Sequence, residues 1–193
     1  MSYRQLKAPC LILLLSTLVF SACLFRPNPV NGVRKFSRSE VYLSNAVRYR
    51  VGELPETWES NSSKARVAAY YNANSVSTIY SSAFCDKQFD DARLTELAQQ
   101  LESGLEDRSP AKRVPVSIGK HEALQTQFTG KLDGVEVAVQ AIVLKKNGCS
   151  FDFVLIQNAQ SRVEALHDFQ KFYQGFELLP PQQYFCPVKR WCS

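Results

Sequence analysis

The sequence predicts an α+β fold: an antiparallel sheet of about six strands with helices on both faces, an α/β/α sandwich. Three observations carry this expectation. Residues 135–158 (VEVAVQAIVLKKNGCSFDFVLIQN) read as two strands joined at Asn147-Gly148, a pair that tolerates the positive φ of a tight primed turn. The second strand and the end of the first are apolar on both sides. Val135, Val137, Val139, Ala141 and Val143 oppose Glu136, Ala138, Gln140, Ile142 and Leu144, and Phe151, Phe153 and Leu155 oppose Asp152, Val154 and Ile156. A sheet wet on one side would alternate apolar and polar throughout, so this hairpin calls for cover above and below. Two helical stripes are available to supply it: Leu94, Leu97, Ala98, Leu101 and Leu105, then Val163, Leu166, Phe169, Phe172, Tyr173 and Phe176.

The chain opens differently. Arg4 and Lys7 precede the apolar run 11–20, and Ser21, Ala22 and Cys23 follow. A basic stub, a short apolar segment and small residues before a cysteine read as an export signal over residues 1–22. The run is too short for a bilayer, which needs about 20 apolar residues. Leu18-Val19-Phe20-Ser21-Ala22-Cys23 resembles the lipobox of bacterial lipoproteins, with Phe20 where that family usually has Leu. The resemblance implies lipidation of Cys23, a membrane anchor, and, because Leu24 rather than Asp follows the cysteine, an outer-membrane location facing the periplasm. A plain export signal, leaving a soluble secreted or periplasmic protein, is the alternative. Without Arg4 and Lys7 the formal net charge falls from +5 to +3, and no clustered basic stripe marks a nucleic-acid partner.

Residues 23–43, rich in Pro, Asn, Arg and Ser, read as the lipidated N-terminus and a tether. The domain is expected over 44–179. It begins with a strand within 41–51, a turn at Pro55 and Trp58 as a large surface to bury, then a polar loop over 59–64. Strands follow at 66–71 and 75–84 around Asn72-Ala73-Asn74. The first helix spans 90–105, with Asp90 or Asp91 as its cap and Gly104 near its end. After a charged loop come strands at 114–118 and 121–129, turns at Gly119 and Gly130–Gly134, and the hairpin. Ser161 and Glu164 have the capping-box spacing that opens the second helix, and Gly175 is a fitting stop. Pro180-Pro181 ends the domain, and 180–193 is a short tail.

With Cys10 in the signal and Cys23 lipidated, Cys85, Cys149, Cys186 and Cys192 remain, and four cysteines allow three pairings. An exported chain meets an oxidising compartment. Cys186 and Cys192 enclose five residues and make the natural local pair, and Cys85 and Cys149 each terminate a strand at what can be the same sheet edge. The spacing of the cysteines, His121 and His167 matches no zinc site.

The element order is similar to the PsbP-like fold of photosystem accessory proteins and a Ran-binding import factor. The residues that carry the likeness are Arg48-Tyr49-Arg50-Val51 with Leu54-Pro55 and Trp58, the strand 75–84, residues 119–129 with Asp133-Gly134, Asn147-Gly148-Cys149-Ser150-Phe151-Asp152, and residues 169–176. The chain also resembles small Gram-negative lipoproteins of unknown function. The resemblance implies an antiparallel sheet between helices and a non-catalytic, assembly-type role, and it carries over no metal ligand and no cofactor.

Among single residues, His121 beside Glu122 and His167 beside Asp168 are neighbours in sequence that point apart, so they read as surface histidines rather than as bases. Asp152 sits among apolar residues and needs a partner, for which a Tyr, an Arg or a backbone amide is expected. Ser75, Ser77, Ser81 and Ser82 lack a Gly-x-Ser-x-Gly elbow. Trp58, Tyr70, Tyr71 and Tyr80 read as core or edge packing. Trp191, with Lys189 and Arg190 inside the short cysteine loop, reads as a stapled tip for partner contact. The expectation is thus a non-enzymatic envelope lipoprotein, without cofactor, that binds another envelope protein as an accessory or assembly factor. A small-molecule or lipid carrier is the alternative.

Overall fold

The computed structural model describes residues 30–31, 35–37, 39–43, 47–61, 67–86, 91–159 and 164–180. The expected signal peptide, Cys23, Cys186, Lys189, Arg190, Trp191 and Cys192 lie outside the described residues.

Twelve strands and two helices are present among the described residues. The strands are β1 (Val30–Asn31), β2 (Lys35–Phe36), β3 (Glu40–Tyr42), β4 (Arg48–Arg50), β5 (Glu59–Asn61), β6 (Ala68–Asn72), β7 (Ser77–Cys85), β8 (Lys112–Ile118), β9 (His121–Leu132), β10 (Val135–Lys146), β11 (Cys149–Asn158) and β12 (Glu177–Leu179). Helices α1 (Leu94–Leu101) and α2 (Glu164–Gln174) complete the set. The main sheet is antiparallel, in the order β5-β6-β7-β11-β10-β9-β8, with β1 added along β7, and a second sheet runs β12-β4-β3-β2.

The hairpin lies at the centre, as its apolar faces require. β10 and β11 pair from Lys146↔Cys149 to Val137↔Asn158, around a turn with positive φ at both Asn147 and Gly148, the primed geometry expected of Asn-Gly. Asp133-Gly134 makes a second turn of the same kind, φ 50 and 79, and sets β10 against β9.

Each face has its own cover. On one side Leu97 and Ala98 of α1 pack on Leu124 and Val143, and Phe128, Val137, Val139, Ala141 and Val154 continue the layer. On the other, Phe169 and Phe172 of α2 and Val41 and Tyr49 of the small sheet close over Ile79, Ile142, Phe151, Phe153 and Leu155. That layer is an aromatic cluster: Tyr49–Phe151 at 5.2 Å, Phe151–Phe176 at 4.9 Å, Phe153–Phe176 at 5.6 Å and Tyr70–Phe172 at 5.6 Å between ring centres, spacings suited to tilted and edge-on contacts. Tyr49, fully buried, shares a 2.7 Å hydrogen bond with Ser81.

The α/β/α sandwich of about six strands holds only in part: among the described residues the fold is mostly β, with an eight-stranded sheet, a second sheet, and one helix to each face. The physical reason is that α2 is only 11 residues long, so short strands share its side of the core. Strands of both sheets come from segments read otherwise from the sequence. Residues 30–42, within the stretch read as tether, supply β1 to β3. The single strand sought at 41–51 is two strands, and Glu59–Asn61 is an edge strand rather than loop. β12, not foreseen, pairs with β4. Helix α1 is shorter than 90–105 and starts after Arg93, whose backbone N–H donates to Glu96 Oε2 at 3.0 Å. Gly175 follows α2 as expected, for a steric reason: a Cβ there would lie 2.3 Å from Gly52 N, where the Gly52 N–H donates to Phe172 O at 2.9 Å. Cys85 and Cys149 face each other across β7 and β11 and are bridged, with 4.1 Å between their Cα atoms. Among the described residues no helix is long and apolar enough to cross a membrane.

Candidate functional site

The aromatic layer covers only part of its side of the sheet. Across the strands one row of neighbours runs Lys112, Gln127, Gln140, Leu155, and the next runs Thr129, Ala138, Gln157. Pairing register alone places these residues side by side, because both two-residue turns fix it. α2 lays Phe169 and Phe172 over the aromatic end of β11, and among the described residues of α2 Leu166 lines the glutamine end. The result is a half-open groove of about 360 Å3, lined among the described residues by Ser109, Gln127, Thr129, Ala138, Gln140, Gln157 and Leu166, with Phe128 and Val139 at its floor.

The rim is held by Ser109, whose N–H donates to Thr129 O at 3.0 Å and whose Oγ accepts from Thr129 N at 3.0 Å. Gln127 Nε2 donates to Gln140 Oε1 at 3.0 Å. That bond uses one donor of Gln140's partner and one acceptor of Gln140 itself, so the pair still offers the amide donors of Gln140 and the carbonyl of Gln127. Gln157 is 5% exposed, and its Oε1 has no hydrogen-bond partner. Buried polar atoms are nearly always paired. An orphan acceptor at the edge of an open groove therefore marks a place where a donor from outside would be gained.

Asp152 faces the other side of β11, the α1 side. It is buried, and burial pushes its carboxyl up to about 6 despite two hydroxyl donors, Ser82 Oγ and Ser150 Oγ, each at 3.3 Å. The expected partner, a Tyr, an Arg or a backbone amide, is corrected to this serine pair: Ser82 is the cross-strand neighbour of Asp152 and Ser150 lies two residues away on the same face. The remaining residues singled out from the sequence are dispersed. His121 opens β9 with its ring 6.3 Å from Phe176, and His167 is exposed on α2. Asp168 accepts from Trp58 Nε1 at 2.9 Å, tying the Pro55 turn to α2. Trp58 and Tyr70 are buried, Tyr80 is half-buried and Tyr71 is 41% exposed. Ser77 donates to Ser75 O, and Ser81 serves Tyr49. Among the described residues, no three His, Cys, Asp or Glu side chains are grouped to hold a metal ion.

The groove was not foreseen. Its signal is three glutamines, Gln127, Gln140 and Gln157, legible as one site only once the two turns are used to align β9, β10 and β11.

The chain matches no protein-family model and no curated protein. Among solved structures it is similar to LpqN, involved in cell envelope biogenesis of Mycobacterium tuberculosis, with a TM-score of 0.53 and 13% identity over 79% of this chain and 90% of that one. It is also similar to PA94, a protein of unknown function from Pseudomonas aeruginosa, with a TM-score of 0.41 and 17% identity over 56% of this chain and 77% of that one. At 13% identity the likeness to LpqN is one of fold alone.

Proposed function

We propose that this chain is a non-catalytic accessory protein of the bacterial envelope that binds another envelope component in the glutamine-lined groove. The observation that carries the reading is the combination of a filled core with an open sheet end, where Gln157 holds an unpartnered, buried acceptor. Side chains as large as Tyr49, Phe151, Phe153, Phe169 and Phe172 are fully buried between sheet and cover, which speaks for recognition at the groove over a carrier holding its cargo inside. Three things support the compartment: the start of the chain, which resembles an export signal with a lipobox ending at Cys23, a bridge that suits an oxidising environment, and the likeness in fold to an envelope-biogenesis protein. On this reading Cys23 is lipidated and anchors the domain at the outer membrane facing the periplasm, and the PsbP-like resemblance describes the same adaptor class. Asp152 accepts from the hydroxyls of Ser82 and Ser150 and faces α1, on the opposite side of the sheet from the groove.

The test is site-specific photo-crosslinking in living cells. A photoreactive residue at Gln140 should yield one discrete envelope adduct, and the same residue at exposed Thr95 on α1 should not. Equal capture from both positions, or none from Gln140, overturns the proposal. Cys23→Ala should release the protein from membranes, and unchanged membrane association rejects the anchor.

A further inference from the structure

We infer that the ligand of this groove is a saccharide, an inference that rests on the reading of the open sheet end as the ligand face. The backbone cannot do the recognising. β9, β10 and β11 are each paired on both sides at this point, so their N–H and C=O groups are committed to the ladders, and a peptide cannot add itself as a further strand. Recognition falls to side chains, and the described ones that line the groove are neutral, with Lys112 exposed beside Gln127 at the end of its row.

What the groove does offer is a mixed set of donors and acceptors within one patch. Gln157 Oε1 accepts, Gln127 Oε1 accepts and Gln140 Nε2 donates. Reversing both amides of the Gln127–Gln140 pair leaves one free donor and one free acceptor in exchanged places, so the chemistry does not depend on how the amides are assigned. Adjacent sugar hydroxyls each donate and accept, which answers such a set, and Ala138 with Leu166 gives an apolar surface for the C–H face of a ring. A groove of about 360 Å3 is within the range of small-ligand sites. Because Gln157 Oε1 is already stripped of water, a hydroxyl donor reaching it regains a bond whose desolvation has been met in the free protein.

The experiment uses the protein as exported, labelled at its glutamine side-chain amides and followed by NMR. N,N′-diacetylchitobiose, maltose and a capped tetra-alanine amide are added in separate titrations up to their solubility limits. The expected result is saturable shifts at Gln127 and Gln140 with at least one disaccharide and none with the peptide. Gln157→Met, which keeps length and removes the acceptor, should weaken that disaccharide about tenfold, and Gln140→Leu should weaken it similarly. Shifts with the peptide alone, silence with all three probes, or undiminished disaccharide binding by Gln157→Met would overturn the saccharide assignment. The crosslinking outcome at Gln140 stands apart: an adduct there with silent disaccharides leaves the groove as the ligand face and removes only the ligand class.

Discussion

Along β11, Phe151, Phe153 and Leu155 lie beneath α2 and the small sheet with no exposure, while Gln157, on the same face two residues further on, ends in a groove with an unsatisfied acceptor. The two regions share strands, register and face, and differ only in cover. Where rings interlock, the sheet gains its stability. Beyond Leu166, the last described cover at that end, glutamines replace aromatics and Gln157 holds a buried acceptor without a partner. On the proposed function, closed and open ends of a single sheet face separate stability from recognition, as expected where a site carries groups the fold itself does not need.

That contrast can be broken at the closed end. Phe153→Ala should lower the unfolding free energy by about 3–5 kcal/mol, as large-to-small changes in packed cores do, read from urea unfolding. Removing the bridge with Cys85→Ala and Cys149→Ala should cost about 4 kcal/mol by loop entropy, since the cysteines stand 64 residues apart. Loss of less than about 1 kcal/mol in either experiment would show that stability does not reside in the covered end.

Asp152 sharpens the contrast from the opposite face. Its carboxyl, pushed up to about 6 by burial, sits above the unfolded value of about 3.9. The folded state therefore holds the proton through that window while the unfolded state releases it. Stability is greatest below about pH 4, declines as pH rises towards 6 and is then flat, with a total change of about 3 kcal/mol. Asp152→Asn should remove this slope and raise stability at pH 7 by about 2–3 kcal/mol, measured by unfolding across pH 4–8. An unchanged slope would place the titration elsewhere. At the open end, Gln127→Ala should change stability by less than about 0.5 kcal/mol, and a core-sized loss there would erase the distinction between the ends.

Much of this architecture could be read from local chemistry. Asn147-Gly148 fixed the central hairpin, its doubly apolar strands required cover on two sides, and Cys85 and Cys149 were placed at one edge because each closes a strand. The small sheet could not be read: β3, β4 and β12 are three residues each, too short for alternation to declare itself, and they are held by Tyr49 and Phe176 contacts far apart in sequence. The limits of α1 were missed because Leu105 continues the apolar stripe after the helix has ended at Leu101. The groove was hidden for a related reason. Gln127, Gln140 and Gln157 belong to three strands and become one site only through pairing.

The most direct measurement is the unfolding free energy of Gln157→Met at pH 7. If the buried Oε1 is kept for a ligand, replacing it with an apolar group of similar length should stabilise the free protein by about 1–2 kcal/mol. A loss of similar size would mean that Gln157 serves the fold, and that the open end of the sheet is wet surface rather than a binding site.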